Sequence, residues 1–360
     1  MLNKNNLSSN FLNSHGWRTN RKIIVIESDD WGGIRMPSKS VYDSLLSYGI
    51  PVNECAYCRN DSLASEEDLS FLFEILLQFR DQNGNHPVIT ANTIMANPDF
   101  QKIRESDFNE YHYEVFTETL KNYPGHGGSF DLWEKGINEK VFFPQLHARE
   151  HLNIRRWLSN LKSGSEETVT AFNLNFFGIG TNITSEKRES YLAAFDSSCL
   201  EEIEFHKNIV REAQDLFNKI FGFKSKSFVA PNYIWSAEFE STLSDIGVKY
   251  LQGSKAQRLP KIGNESRKII RHYTGESNNH SQVYLVRNCL FEPFEGKILI
   301  MSANVYWILK ILFFGESLQL SVLIGLIISG LLIRIIEIII LDCYWNYYSK
   351  SGKIGRKSSS

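Results

Sequence analysis

KIIVIESDDWGG, residues Lys22 to Gly33, is the stretch on which the reading of this chain turns. Its first half, KIIVIE (Lys22 to Glu27), is short and almost continuously apolar. A strand buried on both faces of a parallel sheet looks like this, whereas a strand with one wet face would alternate. Its second half, SDDWGG, puts two adjacent carboxylates, Asp29 and Asp30, where that strand should end. Adjacent carboxylates repel unless something cationic stands between or beside them. One can hold a metal ion while the other stays free as a base. Asp also serves as a helix cap or turn residue, so the pair alone leaves both readings open.

Working outward, strands and helices alternate for most of the chain. PVITANT (Pro87 to Thr93), VFFPQLH (Val141 to His147), TVTAFNLNF, KSFVAP, VKYLQ and QVYLVRN read as further strands. Ser65 with Asp68 three residues on is a capping-box signature, and Leu69, Leu72, Phe73 and Leu76 behind it share one helical face. Tyr113 to Tyr123, REHLNIRRWLSNL after His147, Leu200 to Phe221, and Ser236 to Ile246 read as helices, the last closed by Gly247 at C′. Gly253 to Ser281 reads as a loop. Such alternation predicts a parallel sheet, open or closed into a barrel, with ligands beyond the carboxyl ends of its strands. Residues able to do chemistry should then stand just after strands, and they do.

HAREH follows the strand VFFPQL. His147 and His151 are spaced i, i+4, which puts two imidazoles on one face at the start of a helix. Two nitrogen ligands and one carboxylate oxygen would leave a fourth position open, as a catalytic zinc requires. The same run matches the inverted zinc-peptidase pattern H-x-x-E-H with Glu150 as base, a reading that leaves SDDW without a role. APNYIW follows KSFV; Pro231 fixes a turn, and the backbone N–H of Asn232 could face a cleft as an oxyanion donor.

Composition excludes some partners. The net charge of −2 provides no field for nucleic acid. Aromatic residues make up 13%, which suits sugar stacking but more often fills a large core. Five cysteines are an odd number, and Cys55 and Cys58 lie in PVNECAYCRND, which reads as a loop with no second pair to complete a zinc site. Free thiols are expected. Met1 to Lys22 lacks the apolar core of a secretory signal, so the body of the protein reads as cytoplasmic.

With these segments in hand, the chain resembles the polysaccharide deacetylases of carbohydrate esterase family 4. The likeness is carried by ESDDWG, HPVITAN, FTETLKNYPGH, LHAREHLN and APNYIWS, over roughly Lys22 to Phe294. The resemblance implies a distorted, incomplete (β/α) barrel and a divalent metal, zinc by preference. It implies Asp29 as base, Asp30, His147 and His151 as metal ligands, and an acetylated sugar or polysaccharide as substrate. The family's base-bracing arginine falls on Val229 and its tyrosine on Asn232. The histidine that protonates its leaving group has no counterpart in this sequence. Metal-assisted removal of an N- or O-acetyl group is therefore expected in impaired form, with a non-catalytic metal- or sugar-binding remnant as the alternative.

From Lys297 the texture changes. Leu318 to Leu341 is a long apolar run interrupted by Arg334 and Glu337. It is long enough to span a membrane as a helix, but two central charges suit that poorly. Loss of one nucleotide near the Lys297 codon accounts for it better. Synonymous codons read in a shifted frame can give α/β-textured strings, including ISSHR, a strand followed by histidine. The sequence thus divides into an extension (1–21), a deacetylase-like domain (22–296) and a divergent apolar C-terminus (297–360), with membrane contact only if 318–341 inserts.

Overall fold

The computed structural model of the protein describes residues 15–19, 23–263, 266–287, 289–294, 297–300 and 336–341. In chain order its first elements are β1 (Ile23–Trp31), α1 (Lys39–Ser47), a 3-10 turn (Val52–Glu54), α2 (Ala56–Asn60), α3 (Glu66–Leu77) and β2 (Ile89–Ile94). Then come β3 (Ala96–Pro98), α4 (Phe100–Glu105), β4 (Tyr113–Val115), α5 (Phe116–Asn122), α6 (Ser129–Asn138), β5 (Phe142–Ala148), α7 (Ile154–Lys162), α8 (Glu166–Asn173) and α9 (Leu200–Phe221). β6 (Ser227–Val229), a 3-10 turn (Pro231–Tyr233), α10 (Ala237–Asp245), β7 (Tyr250–Gly253), β8 (Ala256–Arg258), β9 (Ile269–Arg271) and β10 (Val283–Val286) follow. The last are β11 (Cys289–Phe294), β12 (Lys297–Ile300) and β13 (Ile336–Leu341).

Six strands, in the order β10-β7-β6-β5-β2-β1, run parallel. Laid flat, five gaps of about 4.8 Å would hold the outer two some 24 Å apart. Instead Arg287, one residue past β10, donates to Glu27 and Asp29 of β1 at 2.6 Å each. Asn92 of β2 likewise reaches Gln252 of β7 at 2.8 Å. The sheet is therefore curled, and the architecture is a distorted, incomplete (β/α) barrel, closed between β10 and β1 by side chains rather than by a ladder.

The apolar face predicted for α3 is the one it buries, behind a complete Ser65–Asp68 capping box. It packs with α6 over an aromatic cluster in which Trp31 lies 4.8 Å from Phe142 and 5.9 Å from Trp133, centre to centre. α6 can approach so closely because residue 136 is glycine: a Cβ there would sit 2.5 Å from Phe73 Cζ.

Several expectations need correction. TVTAFNLNF is not a strand: Thr168 to Asn173 belong to α8, capped by Ser165, and buried Thr168, Ala171 and Phe172 recur at helical spacing. The helix after HAREH starts only at Ile154, because Asn153 is its cap. Tyr113 to Tyr123 is split, with β4 preceding α5. The loop 253–281 contains the β8–β9 hairpin, and the cysteine loop contains a 3-10 turn and α2.

At the C-terminus, β13 pairs antiparallel with β1 along six residues, and β11 and β12 continue the sheet beyond it. Ile336–Leu341 is therefore strand, and the helical reading of 318–341 fails over that stretch. The remainder of that run, 318–335, and the tail from 342 lie outside the described residues. Among the described residues no helix is long and apolar enough to cross a membrane. From the N-terminal extension, the Trp17 N–H donates to the Thr274 carbonyl at 2.7 Å.

Candidate metal centre

The site is built at the carboxyl ends of β1, β5 and β10. β1 does not reach its end regularly. Ser28 pairs with Ala91 and Trp31 with Thr93, so two residues of β1, Asp29 and Asp30, oppose the single Asn92. That is a β-bulge, the device that re-aims side chains beside active sites. Asp30 takes its left-handed position at φ 65°, a conformation that Asp tolerates better than most residues. Plain alternation would send neighbouring side chains to opposite faces; the bulge lets both carboxylates serve one site. Asn97, in β3, fastens the following turn by accepting from Ile34 N–H at 2.9 Å and donating to the Gly32 carbonyl at 2.9 Å.

Asp30, His147 and His151 each offer a ligand atom within 4.8 Å of the others. His147 lies in β5, and its Nδ1–H donates to the Val229 carbonyl at 2.7 Å. That bond fixes the ring so that Nε2 faces Asp30 Oδ1, 3.1 Å away. His151 is not on a helix as its spacing suggested. It stands in the loop between β5 and α7, with Nε2 3.5 Å from the same oxygen. Its Nδ1 is buried with no hydrogen-bond partner among the described residues.

The trio fits an ion. A tetrahedral zinc with bonds of about 2.0–2.1 Å has ligand–ligand edges of about 3.3–3.4 Å, and the two Nε2–Oδ1 separations bracket that figure. The protonation states also suit. Burial opposes ionisation of Asp30, but His151, His147 and Arg35 outweigh it and hold the carboxyl well below the usual range. Burial pushes His151 down to about 4, so its imidazole is neutral at pH 7. His147 goes the other way: burial would lower it, but Asp30 and Asp29 raise it.

Asp29 stands beside the trio and is held differently. Arg287 grips it bidentately, at 2.6 and 2.7 Å, and Asn92 donates to Oδ1 at 2.8 Å. Burial raises this carboxyl, and the Arg287 charge more than offsets it, so Asp29 stays ionised. The arginine that the resemblance lacked at position 229 is thus present at the same carboxylate, contributed by the end of β10. Sequence reasoning missed it, together with Glu27, Asn92 and Gln252. Arg35, 3.7 Å from Asp30 Oδ2, was missed as well. Asp29, Asp30, Arg35, Asp61, Asn97 and His151 are among the residues lining a narrow cleft at the site.

Asn232 is less tightly placed. It and Tyr233 are both left-handed, at φ 56° and 55°, and the Tyr233 hydroxyl accepts from Arg287 at 3.2 Å. No hydrogen bond among the described residues joins Asn232 to the trio. Glu150, the base of the inverted-peptidase reading, is gripped by Arg149 at 2.6 Å twice over, which leaves it committed to that partner.

No known family's sequence profile matches the chain, and no curated protein does. Among solved structures, it is similar to a 4-alpha-glucanotransferase from Thermococcus litoralis (9% identity, 64% of this chain, 22% of that one, TM-score 0.29). It is also similar to a polysaccharide deacetylase from Bacillus cereus (10% identity, 74% and 64%, TM-score 0.29) and to IcaB from Ammonifex degensii (8% identity, 67% and 88%, TM-score 0.25). The chain spans under a quarter of the glucanotransferase and just under two thirds of the Bacillus cereus protein. Superpositions this loose assign no residue a role.

Proposed function

We propose that this chain is a metal-dependent hydrolase that removes acetyl groups from a sugar or polysaccharide, with zinc held by Asp30, His147 and His151. The observation that carries the reading is the convergence of that trio next to a second, separately braced carboxylate. A structural zinc site would close itself with four protein ligands; this one offers three and opens on a cleft. A divalent ion held by Asp30, His147 and His151 would polarise an acyl carbonyl and make a water easier to deprotonate. Asp29 is the base. It is ionised, positioned by Arg287, and near the ligands without being one of them. Asn232, in its strained turn, is assigned the oxyanion contact through its N–H.

Departure of the leaving group is the weak step. No histidine besides His151 lines the cleft among the described residues. An amine departs only once protonated, whereas an alcohol departs from an ester more readily. A site without a positioned acid should therefore favour O-acetyl over N-acetyl groups, and work poorly on amides. The test is to load the purified chain with zinc and measure metal content and acetate release from O-acetylated xylan and N-acetylated chitooligosaccharides. One zinc per chain, with faster release from the ester, is expected. His151→Ala should lose stoichiometric zinc and both activities. Full zinc content in that variant would place the metal elsewhere.

A further inference from the structure

Cys55 and Cys58 take no part in the proposed chemistry, yet the fold arranges them as a pair. Cys55 is the residue just before α2 and Cys58 the third residue within it. Those are the relative positions of Ser65 and Asp68 at α3, whose side chains bond to each other at 2.8 Å. Residues so spaced face one another across the first turn, and the Cys58 thiol also lies 4.0 Å from the Gly178 carbonyl. Cys58 is fully buried, whereas Cys55 keeps 8% of its surface exposed, so an outside reagent meets Cys55 first.

What surrounds the pair leads to the metal trio. Tyr57, between the cysteines, lies under the Arg35 guanidinium, 5.6 Å from the ring centre. Arg35 is the cation that pairs with Asp30. Asp61, the residue that ends α2, lines the same cleft as Asp30 and His151, and its carbonyl accepts from Met36 N–H at 3.3 Å. Any tightening of α2 therefore acts on both neighbours of the site.

We propose that Cys55 and Cys58 are a redox pair, converted by a small-molecule disulfide into an intramolecular disulfide that changes metal affinity at the trio through Arg35 and Asp61. The coupling rests on the proposed metal site; the disulfide does not. The Cys55 thiolate attacks one sulfur of the oxidant RSSR, forming Cys55–S–SR and releasing RS⁻. The released RS⁻ takes the Cys58 proton, and the Cys58 thiolate attacks Cys55 Sγ, expelling a second RS⁻ that is protonated by water. Two thiols are oxidised and one disulfide is reduced to two thiols. The neighbouring Cys58 outweighs burial and lowers the Cys55 pKa to about 6, which supports Cys55 as the attacking thiolate.

The full chain is equilibrated in oxidised and reduced glutathione, acid-quenched, digested and weighed. Zinc affinity is measured on both forms. Expected are a peptide carrying a Cys55–Cys58 disulfide, reversed by dithiothreitol, and a zinc dissociation constant shifted several-fold. Cys58→Ala should stop at a mixed disulfide on Cys55, whereas the double variant Cys55→Ser/Cys58→Ser should ignore the oxidant; both should bind zinc like the reduced chain before oxidation, which separates the trio from ligation by thiolates. In the unaltered chain, thiols that stay reduced, or a stable mixed disulfide on Cys55, would overturn the pair. Equal zinc affinity in both forms would overturn the coupling. A reduced chain that binds no zinc would instead count against the metal site itself, and removes the coupling with it.

Discussion

Arg287 donates through three nitrogens to two carboxylates, Glu27 and Asp29, and to Gln252 and Tyr233 as well. Its flat fork meets Asp29 with two parallel bonds, which a lysine cannot reproduce. Arg287→Lys should lower kcat for acetate release by roughly 10²-fold, with little change in KM. Because the arginine holds Asp29 low, the acidic limb of the pH–rate profile should move to higher pH in the variant. An unchanged limb would mean that Asp29 is not the titrating base. The histidines supply a second expectation. His147 is raised in the folded chain, so its proton competes with the metal; His151, at about 4, does not compete near neutrality. Zinc affinity should fall as pH drops through the raised His147 value, by about tenfold per unit for one competing proton. Stability of the metal-free chain follows opposite signs at the two rings. The raised His147 stabilises below its ordinary value of 6.5 and loses that contribution as pH rises through its folded value. The depressed His151 stabilises above 6.5 and loses its contribution as pH falls from there towards 4. Calorimetry at pH 6, 7 and 8 in buffers of different ionisation enthalpy reads the proton released per zinc; pH-independent affinity would contradict the ligand set.

Among the elements, the short loop between β5 and α7 carries the most consequence per residue. Asn153 caps α7 by accepting from Arg156 N–H, and donates to the carbonyls of Ala193 and Asp196 at 3.1 and 2.7 Å. Asn153→Ala removes a cap worth about 1 kcal/mol and takes a donor from the buried Asp196 carbonyl, at about 1–3 kcal/mol, while the Ala193 carbonyl keeps the Asp196 N–H. A loss near 3 kcal/mol is expected in denaturant unfolding, together with weaker zinc binding, because His151 lies two residues away. Undisturbed stability would show that the loop is held by other contacts. That His147 and His151 come together was legible from their residue types and their place after a strand, but the helical reason for their convergence was wrong. A strand end and a loop bring them together, and i, i+4 spacing carries no information about that. The failure at α8 is of another kind: Thr168, Val169 and Thr170 favour strand by side-chain shape, while the Ser165 cap and a buried face at helical spacing prevailed. Asn92 and Gln252 did leave a trace, as polar residues inside otherwise apolar strands. Their partners could not be read, because contacts between β2 and β7 depend on how far the sheet curls.

At the scale of the molecule, β1 is the strand on which everything leans. One edge pairs with β2, the other with β13, and its carboxyl end holds the site. Ending the chain at residue 300 removes β13 and uncovers a strand edge, a known route to self-association. That shortened chain should retain Asp30, His147 and His151, and hence zinc, while its Tm falls and amide exchange along β1 accelerates. Identical exchange in the two chains would show that β13 adds nothing to β1, as a division of the chain at residue 296 would have it. The clasp between Arg287 and β1 has a different implication, which concerns time. Its bonds to Asp29 and Glu27 join residues 258 and 260 apart. At about 5–20 residues per second, a ribosome needs roughly 13–50 s to travel from the carboxylates to the arginine. His151 is made about halfway through that interval, and for the rest of it the nascent chain carries the three proposed ligands but no fastening for Asp29. Hydrolytic competence should therefore appear abruptly and late, when residue 287 clears the exit tunnel, however early the metal is taken up.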